Sequence, residues 1–211
     1  MLKLKANIII YNIFKYCKSE YNEFQDVKLT TRKVKKYKNI VYMSVDTFYY
    51  ESKININYNK CSYKQKGFND YKKGIFVNDL FKSVEINDLT DAFIMCTLHE
   101  FGHVYRYLTN RVNIEKYNKQ IKNLKKWELR NPNNSKNIMK ASKKYRAIEE
   151  EREADRFASK NYNTVKHILQ PTIKLIELLN EKENKIKILK NKLFYERSKN
   201  LDITNFEVKI L

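Results

Sequence analysis

The sequence predicts an α+β domain in which a small, mostly antiparallel sheet with an N-terminal helix is followed by a helical half. Three observations predict it. Runs of β-branched and aromatic residues lie between Ile40 and Val77, and one of them alternates with period two. After Asp88 the apolar residues recur at helical spacing. Only three Gly and two Pro occur in 211 residues, too few for the tight corners of an all-β architecture.

Taken in order, Ile10, Ile13, Phe14, Cys17, Tyr21 and Phe24 recur at helical spacing, so Ala6 to about Phe24 forms an amphipathic helix lying on the rest of the domain. Val27 to Lys38 is short and strongly basic, which suits a solvated edge strand or loop. Ile40 to Val45 and Thr47 to Tyr50 suit strands. Ile54, Ile56 and Tyr58 alternate with Asn55 and Asn57, giving a half-exposed strand. Gly67 and Asn69-Asp70 turn the chain, and Gly74-Ile75-Phe76-Val77 is the last short strand, so the sheet spans about 27–77.

In the helical half, Asp88 or Thr90 caps a helix over about 89–109, and Asn110 stops it. A charged helix follows from Ile114 to Leu129. Asn131-Pro132-Asn133-Asn134-Ser135 is the clearest break, with Asn134 or Ser135 capping a third helix over about 136–160. Pro171 starts a further helix at its first position, where a missing N–H costs nothing. That helix carries Ile173, Ile176, Leu179, Ile186, Leu189 and Leu193, which pack on the core or on a partner. Residues 1–160 thus form the main domain and 161–211 a helical C-terminal extension.

Composition narrows the function classes. Hydrophobic residues at 42% and aromatics at 13% argue for a folded globule. The net charge of +19 raises a nucleic-acid partner. Lys dominates over Arg, however, and accompanies an excess of Asn, Ile, Tyr and Phe, the residues of AT-rich codons. The basicity therefore reads first as genome composition and second as a binding surface, since Arg is preferred for bidentate phosphate and base contacts. Cys17, Cys61 and Cys96 are odd in number and far apart, so neither a disulfide framework nor a cysteine zinc site is indicated. A reducing, cytoplasmic setting is the expectation. Met1 to Ile10 lacks an unbroken apolar core and a small-residue cleavage site, and nowhere do eighteen apolar residues run together, so no signal peptide or spanning helix is expected.

The chemistry gathers at His99-Glu100-Phe101-Gly102-His103, an H-E-x-x-H pentapeptide that uses two of the three histidines in the chain. Helical positions four apart lie one above the other, so His99 and His103 share a face and can bind one metal ion, with Glu100 one step round. A hydrolytic zinc needs a third protein ligand. Candidates lie in Glu149-Glu150-Glu151-Arg152-Glu153-Ala154-Asp155. Around Glu151 the residues three and four away are Ala147, Ile148, Ala154 and Asp155, a small and apolar face; around Glu153 and Glu149 they are largely charged. Glu151 is therefore the inward carboxylate and the expected third ligand. Asp155, one turn later, is placed to accept the other N–H of a ligand histidine. The blander reading is a surface patch salt-bridged to Arg146, Arg152 and Arg156.

H-E-F-G-H followed on a later helix by E-R-E-A-D-R-F-A resembles the zinc metallopeptidases of the gluzincin type, in which the two His and the downstream Glu bind zinc. The E-x-x-A-D form is shared with the HtpX and CAAX-protease group, whose members have several spanning helices that this chain lacks. The E-x-x-A-x-x-F-A form resembles the soluble ImmA/IrrE-type peptidases, although that group more often has Asn where Asp155 stands. The resemblance covers roughly Gly74 to Ala158. It implies a zincin-like fold, Zn2+ on His99, His103 and Glu151, and a protein or peptide substrate. It also implies that the strand Gly74, Ile75, Phe76, Val77 pairs with extended substrate.

Such a zinc ion would lower the pKa of its bound water and polarise a peptide carbonyl, with Glu100 as general base. Gly102 allows close approach of another backbone. His167 and Tyr145, with Tyr105 and Tyr107 as rivals, are the candidate oxyanion stabilisers, while Arg106 pairs with an acidic neighbour and Trp127 and Cys96 serve packing. The resulting reading is a zinc endopeptidase. The alternative is a basic nucleic-acid-associated protein with a structural or degenerate zinc site. A pseudopeptidase is disfavoured because a structural site would not need Glu100. Substrate identity and oligomeric state are not readable.

Overall fold

In the computed structural model, which describes residues 3–34, 43–48, 53–58, 84–131 and 135–201, the stripe Ala6, Ile9, Ile10, Ile13, Phe14 and Cys17 is buried on helix α1 (Lys3–Glu20). A short 3-10 turn, Asn22–Phe24, carries the stripe on to Phe24. The architecture is α+β and mostly helical.

Three strands are described: β1 (Lys28–Lys33), β2 (Met43–Phe48) and β3 (Lys53–Tyr58), in the order β1-β3-β2. The sheet is mixed rather than mostly antiparallel. β2 runs antiparallel to β3, but β1 pairs with β3 in parallel, Lys28 opposite Lys53 and Lys33 opposite Tyr58. Alternation along a strand reports which face is buried, not which neighbour it pairs with, so strand order was hidden. Among the described residues the basic β1 lies at an edge of the sheet. β2 also runs straight through Asp46, which sits exposed and accepts a 2.7 Å hydrogen bond from Asn57 Nδ2 across the outer face. Ile54, Ile56 and Tyr58 face inward; Tyr58 meets the Phe93 ring edge-on at 6.0 Å and donates to Asn7 Oδ1 of α1. The Gly74–Val77 strand lies outside the described residues.

Helix α2 (Leu89–Leu108) is the central element. Asp88 caps it, accepting from the backbone N–H groups of Thr90 and Asp91. At its far end Asn110 takes a left-handed φ of 54°, and Arg111 N–H bonds back to the Arg106 carbonyl, a Schellman closure. Phe93, Ile94, Leu98, Phe101 and Val104 are completely buried. Phe101 is stacked on Phe14 of α1 at 5.9 Å and met edge-on by Phe24.

Helices α3 (Ile114–Arg130) and α4 (Ser135–Arg146) follow, and α3 buries none of its residues fully. Helix α5 runs from Glu149 to Leu201. The single helix expected over 136–160 is therefore broken at Ala147-Ile148. The break falls where three cationic residues in the last turn of α4, Lys143, Lys144 and Arg146, give way to three glutamates in the first turn of α5. Basic C-terminal and acidic N-terminal turns each complement a helix dipole. Pro171 lies inside α5 rather than at the start of a new helix; its fixed φ fits a helix, but it forfeits one backbone hydrogen bond and sets its ring against the carbonyl one turn back.

The chain forms two units, residues 1–169 and 170–211. The first extends past residue 160 because Asn161 accepts from Tyr16 and Tyr21, and the Tyr162 hydroxyl donates to the Glu85 carbonyl. No helix among the described residues is long and apolar enough to cross a membrane.

Candidate metal centre

The histidine pair is set by the helical repeat of α2. With Phe101 and Leu98 committed to the core, His99 and His103 fall on the other side of the helix and remain partly exposed. Their Nε2 atoms lie 3.1 Å apart, with the two rings perpendicular.

The break before α5 delivers the third group. Glu149, Glu150 and Glu151 occupy one turn and point three ways. Glu149 pairs with Lys116 of α3 at 2.5 Å. Glu150 takes a two-pronged hydrogen bond from Arg106 of α2, at 2.7 and 3.0 Å, which is the acidic partner expected for that arginine. Glu151, 1% exposed, turns inward, and its Oε2 lies 3.3 Å from His99 Nε2 and 3.7 Å from His103 Nε2.

Gly102 makes this approach feasible. A Cβ placed there would sit 2.8 Å from the Ala154 Cα, 2.9 Å from the Ala154 carbonyl oxygen and 3.1 Å from the Phe157 Cβ. Helices α2 and α5 therefore touch backbone to backbone. Any side chain at residue 102 would hold Glu151 away from the histidines.

Further side chains fix the orientation of the three groups. Asp155, 1% exposed, places Oδ1 2.8 Å from His99 Nδ1 and 2.7 Å from an Arg146 guanidinium nitrogen. Tyr117 of α3 donates to Glu151 Oε1 at 3.1 Å. Burial alone would lower the His99 imidazole, but its hydrogen bond to Asp155 and its contact with Glu151 outweigh this and push it up to about 9. Burial likewise opposes ionisation of Glu151, yet the facing His103 and His99 rings hold its carboxyl well below the usual range. Glu100 is buried, and that burial raises its carboxyl against the pull of both imidazoles. Tyr145 stays a neutral phenol, because burial and the neighbouring Glu151 carboxylate push it far up.

His99 Nε2, His103 Nε2 and Glu151 Oε2 form a triangle with edges of 3.1, 3.3 and 3.7 Å. A tetrahedral ion with bonds of about 2.0–2.1 Å has ligand-to-ligand edges of about 3.3 Å. Glu151 Oε2 is buried and, despite its closeness to the rings, takes part in no hydrogen bond. Three lone-pair-bearing atoms converging on one point are costly unless a cation or a proton sits among them. The three side chains can hold a metal ion.

Other sequence-predicted residues lie elsewhere. His167 is exposed on α5, sixteen residues beyond Glu151, which is about 24 Å along a helix axis. Tyr105 packs with tilted rings against Tyr21 and Phe157, at 5.0 and 5.5 Å. Tyr145 is brought beside Glu151. The substrate-pairing strand Gly74–Val77 lies outside the described residues. Sequence reasoning missed Tyr117, for which no local signal exists, and treated Arg146 only as a surface partner. Comparison with protein-family models, with curated proteins and with solved structures finds no match to this chain, so the centre is defined by its own geometry.

Proposed function

We propose that this chain is a zinc-dependent endopeptidase acting on a protein or peptide substrate, similar in plan to the soluble ImmA/IrrE-type gluzincins. The observation that carries the reading is the convergence of His99, His103 and Glu151 beside a buried Glu100. Two imidazoles and one carboxylate suit zinc, and three protein ligands leave a fourth position for water or substrate, as hydrolytic rather than structural sites do. The order of helix, sheet, H-E-x-x-H helix and later glutamate-bearing helix supports a zincin-like fold.

When bound, the ion supplies Lewis acidity toward water and toward the scissile carbonyl. The remaining work belongs to the protein. Glu100 accepts the proton of the attacking water and passes it to the leaving amine; burial raises its carboxyl, which favours taking that proton up. Asp155 receives the Nδ1 proton of His99 in a hydrogen bond, which keeps Nε2 aimed at the centre. Tyr117 fixes one oxygen of Glu151 so that the other faces the histidines. Tyr145, beside Glu151, is the donor assigned in this reading to developing charge on the carbonyl oxygen.

The test pairs metal analysis with the Glu100→Gln variant. Wild type and variant should both retain about one zinc per chain, while only the wild type cleaves protein substrates. A folded wild-type chain that takes up no zinc would overturn the reading.

A further inference from the structure

A pocket of about 400 Å³ opens between α3 and the break that separates α4 from α5, within the size range of ligand-binding clefts. Leu124, Trp127 and Ile148 give it apolar lining, while Gln120, Asn123 and Lys144 bring amide and ammonium donors to it. No carboxylate lines it. The Lys144 ammonium stands over the Trp127 ring, 5.3 Å from its centre, and pairs with no carboxylate among the described residues. The glutamates that follow it on α5 are already engaged, Glu149 with Lys116 and Glu151 with the histidines. Eleven basic and two acidic side chains lie between Ile114 and Arg146, so the field around the pocket attracts anions.

Both walls of the pocket lead to the metal centre. Tyr117, Gln120, Leu124 and Trp127 follow one another at intervals of three, four and three residues and share one face of α3, and Tyr117 at its head donates to Glu151. On the other wall Ile148, whose carbonyl accepts the Arg152 N–H, stands one turn before Glu151. We propose that this pocket takes an acidic side chain, Glu or Asp, of the peptide substrate, with Lys144 as the cation that selects it. A helical turn advances about 5.4 Å and an extended peptide about 3.4 Å per residue, which puts the acidic residue about one or two positions from the bond that is cut. The identity of the occupant rests on the peptidase reading. Its carboxylate pairs with Lys144 while the ammonium keeps its place over Trp127, and its methylene groups lie along Leu124 and Ile148. A nucleic-acid strand fits less well. Such strands are held by successive aromatic faces and by arginine forks, whereas this pocket has one tryptophan, already faced by Lys144, and Arg146 is committed to Asp155.

Trp127 is the only tryptophan in the chain, so its fluorescence reports on this pocket directly. The experiment titrates the full-length Glu100→Gln variant, at about 0.15 M salt to screen diffuse charge, with short Gly/Ser peptides carrying Glu-Glu, Gln-Gln or Leu-Leu at the centre. Midpoints are compared rather than amplitudes, because Lys144 itself lies on the Trp127 ring. The Glu peptide should bind roughly fivefold more tightly than the Gln peptide, the strength of one partly exposed ion pair. Adding Lys144→Gln should abolish that difference. Adding Lys143→Gln instead removes an equal charge from an exposed residue outside the pocket and should preserve it. Equal midpoints for the Glu and Gln peptides, or tightest binding of the Leu peptide, overturn the acidic preference. Equal effects of the two lysine variants overturn the pocket in favour of diffuse charge. An oligo-dT strand that moves the Trp127 signal, and loses this effect in Lys144→Gln, overturns the peptide as occupant. Zinc-loaded wild type digesting a mixed peptide library should cut within about two residues of Asp or Glu. Cuts without acidic preference overturn the role of the pocket and leave the peptidase standing, whereas a Glu-selective Trp127 titration with no cleavage overturns the peptidase reading alone.

Discussion

Asp155 Oδ1 lies 2.8 Å from Nδ1 of His99, on the side of the ring opposite the nitrogen that faces Glu151. One buried carboxylate thus sets the tautomer of the histidine while another shares its metal-facing side. Replacing Asp155 with Asn keeps the shape but removes the charge. Zinc affinity measured against a competing chelator should fall about 10–100-fold, the range typical of outer partners of ligand histidines. Tyr117→Phe removes a single donor from the ionised Glu151 and should cost about 1.5 kcal/mol, roughly tenfold in affinity. If Tyr117→Phe weakens binding more than Asp155→Asn, the proposed roles are misassigned.

Removal of the metal should be visible in stability. A ligand that binds only the folded state at about 100 times its Kd adds about 2.7 kcal/mol. For a unit of this size that corresponds to a rise of roughly 5–11 °C in Tm. Chelation should reverse the shift, and Glu151→Ala should abolish it. A chelator-insensitive Tm in the zinc-loaded protein would show that the three side chains do not bind the ion as a unit.

The division between what could and could not be read from the sequence follows the range of each interaction. The H-E-x-x-H spacing is local, so the shared face of His99 and His103 follows from helix geometry alone. The choice of Glu151 over Glu149 and Glu153 rested on neighbours within one turn, and in the structure Glu151 is the carboxylate beside the histidines while Glu150 meets Arg106. Nothing local announced that Tyr117, from a separate helix, donates to Glu151. Strand order was equally invisible, because the parallel β1–β3 pair looks the same in alternation as an antiparallel one. The break at Ala147-Ile148 did have a signal, the switch from a basic to an acidic run, but Ala147 and Ile148 read as helical neighbours of Glu151. That break matters for the site, since it lets Arg146 reach Asp155.

Alkaline stability offers a readout remote from the centre. Tyr16 and Tyr21 both donate to Asn161 Oδ1, at 2.7 and 2.9 Å, tying α1 and the turn after it to α5. Burial, with Tyr21 nearby, pushes the Tyr16 phenol up to about 12, against an ordinary value of about 10. The folded state holds this proton more tightly than the unfolded chain. Its contribution is therefore complete below pH about 10 and is lost as pH rises toward about 12. Tyr16→Phe should make denaturant stability fall less steeply across that window, and the late part of the phenolate absorbance titration should shrink. An unchanged slope would remove Tyr16 from the account.

Gly102 is the residue at which packing and chemistry meet. In most helix interiors Gly→Ala stabilises by up to about 1 kcal/mol through helix propensity. Here the added methyl would stand 2.8 and 2.9 Å from backbone atoms of Ala154, and a backbone cannot rotate aside as a flexible side chain can. Helices α2 and α5 must separate, at an overpacking cost of about 1–3 kcal/mol that outweighs the propensity gain. Because Glu151 lies one turn from Ala154 on α5, the separation also stretches its 3.3 Å approach to His99. Gly102→Ala should therefore lower both the denaturation midpoint and zinc affinity, whereas an alanine at an exposed helical position such as Asn118 should leave affinity unchanged. A Gly102→Ala protein that is more stable and binds zinc as tightly as the wild type would mean that the helices tolerate a wider spacing and that the glycine does not set the site.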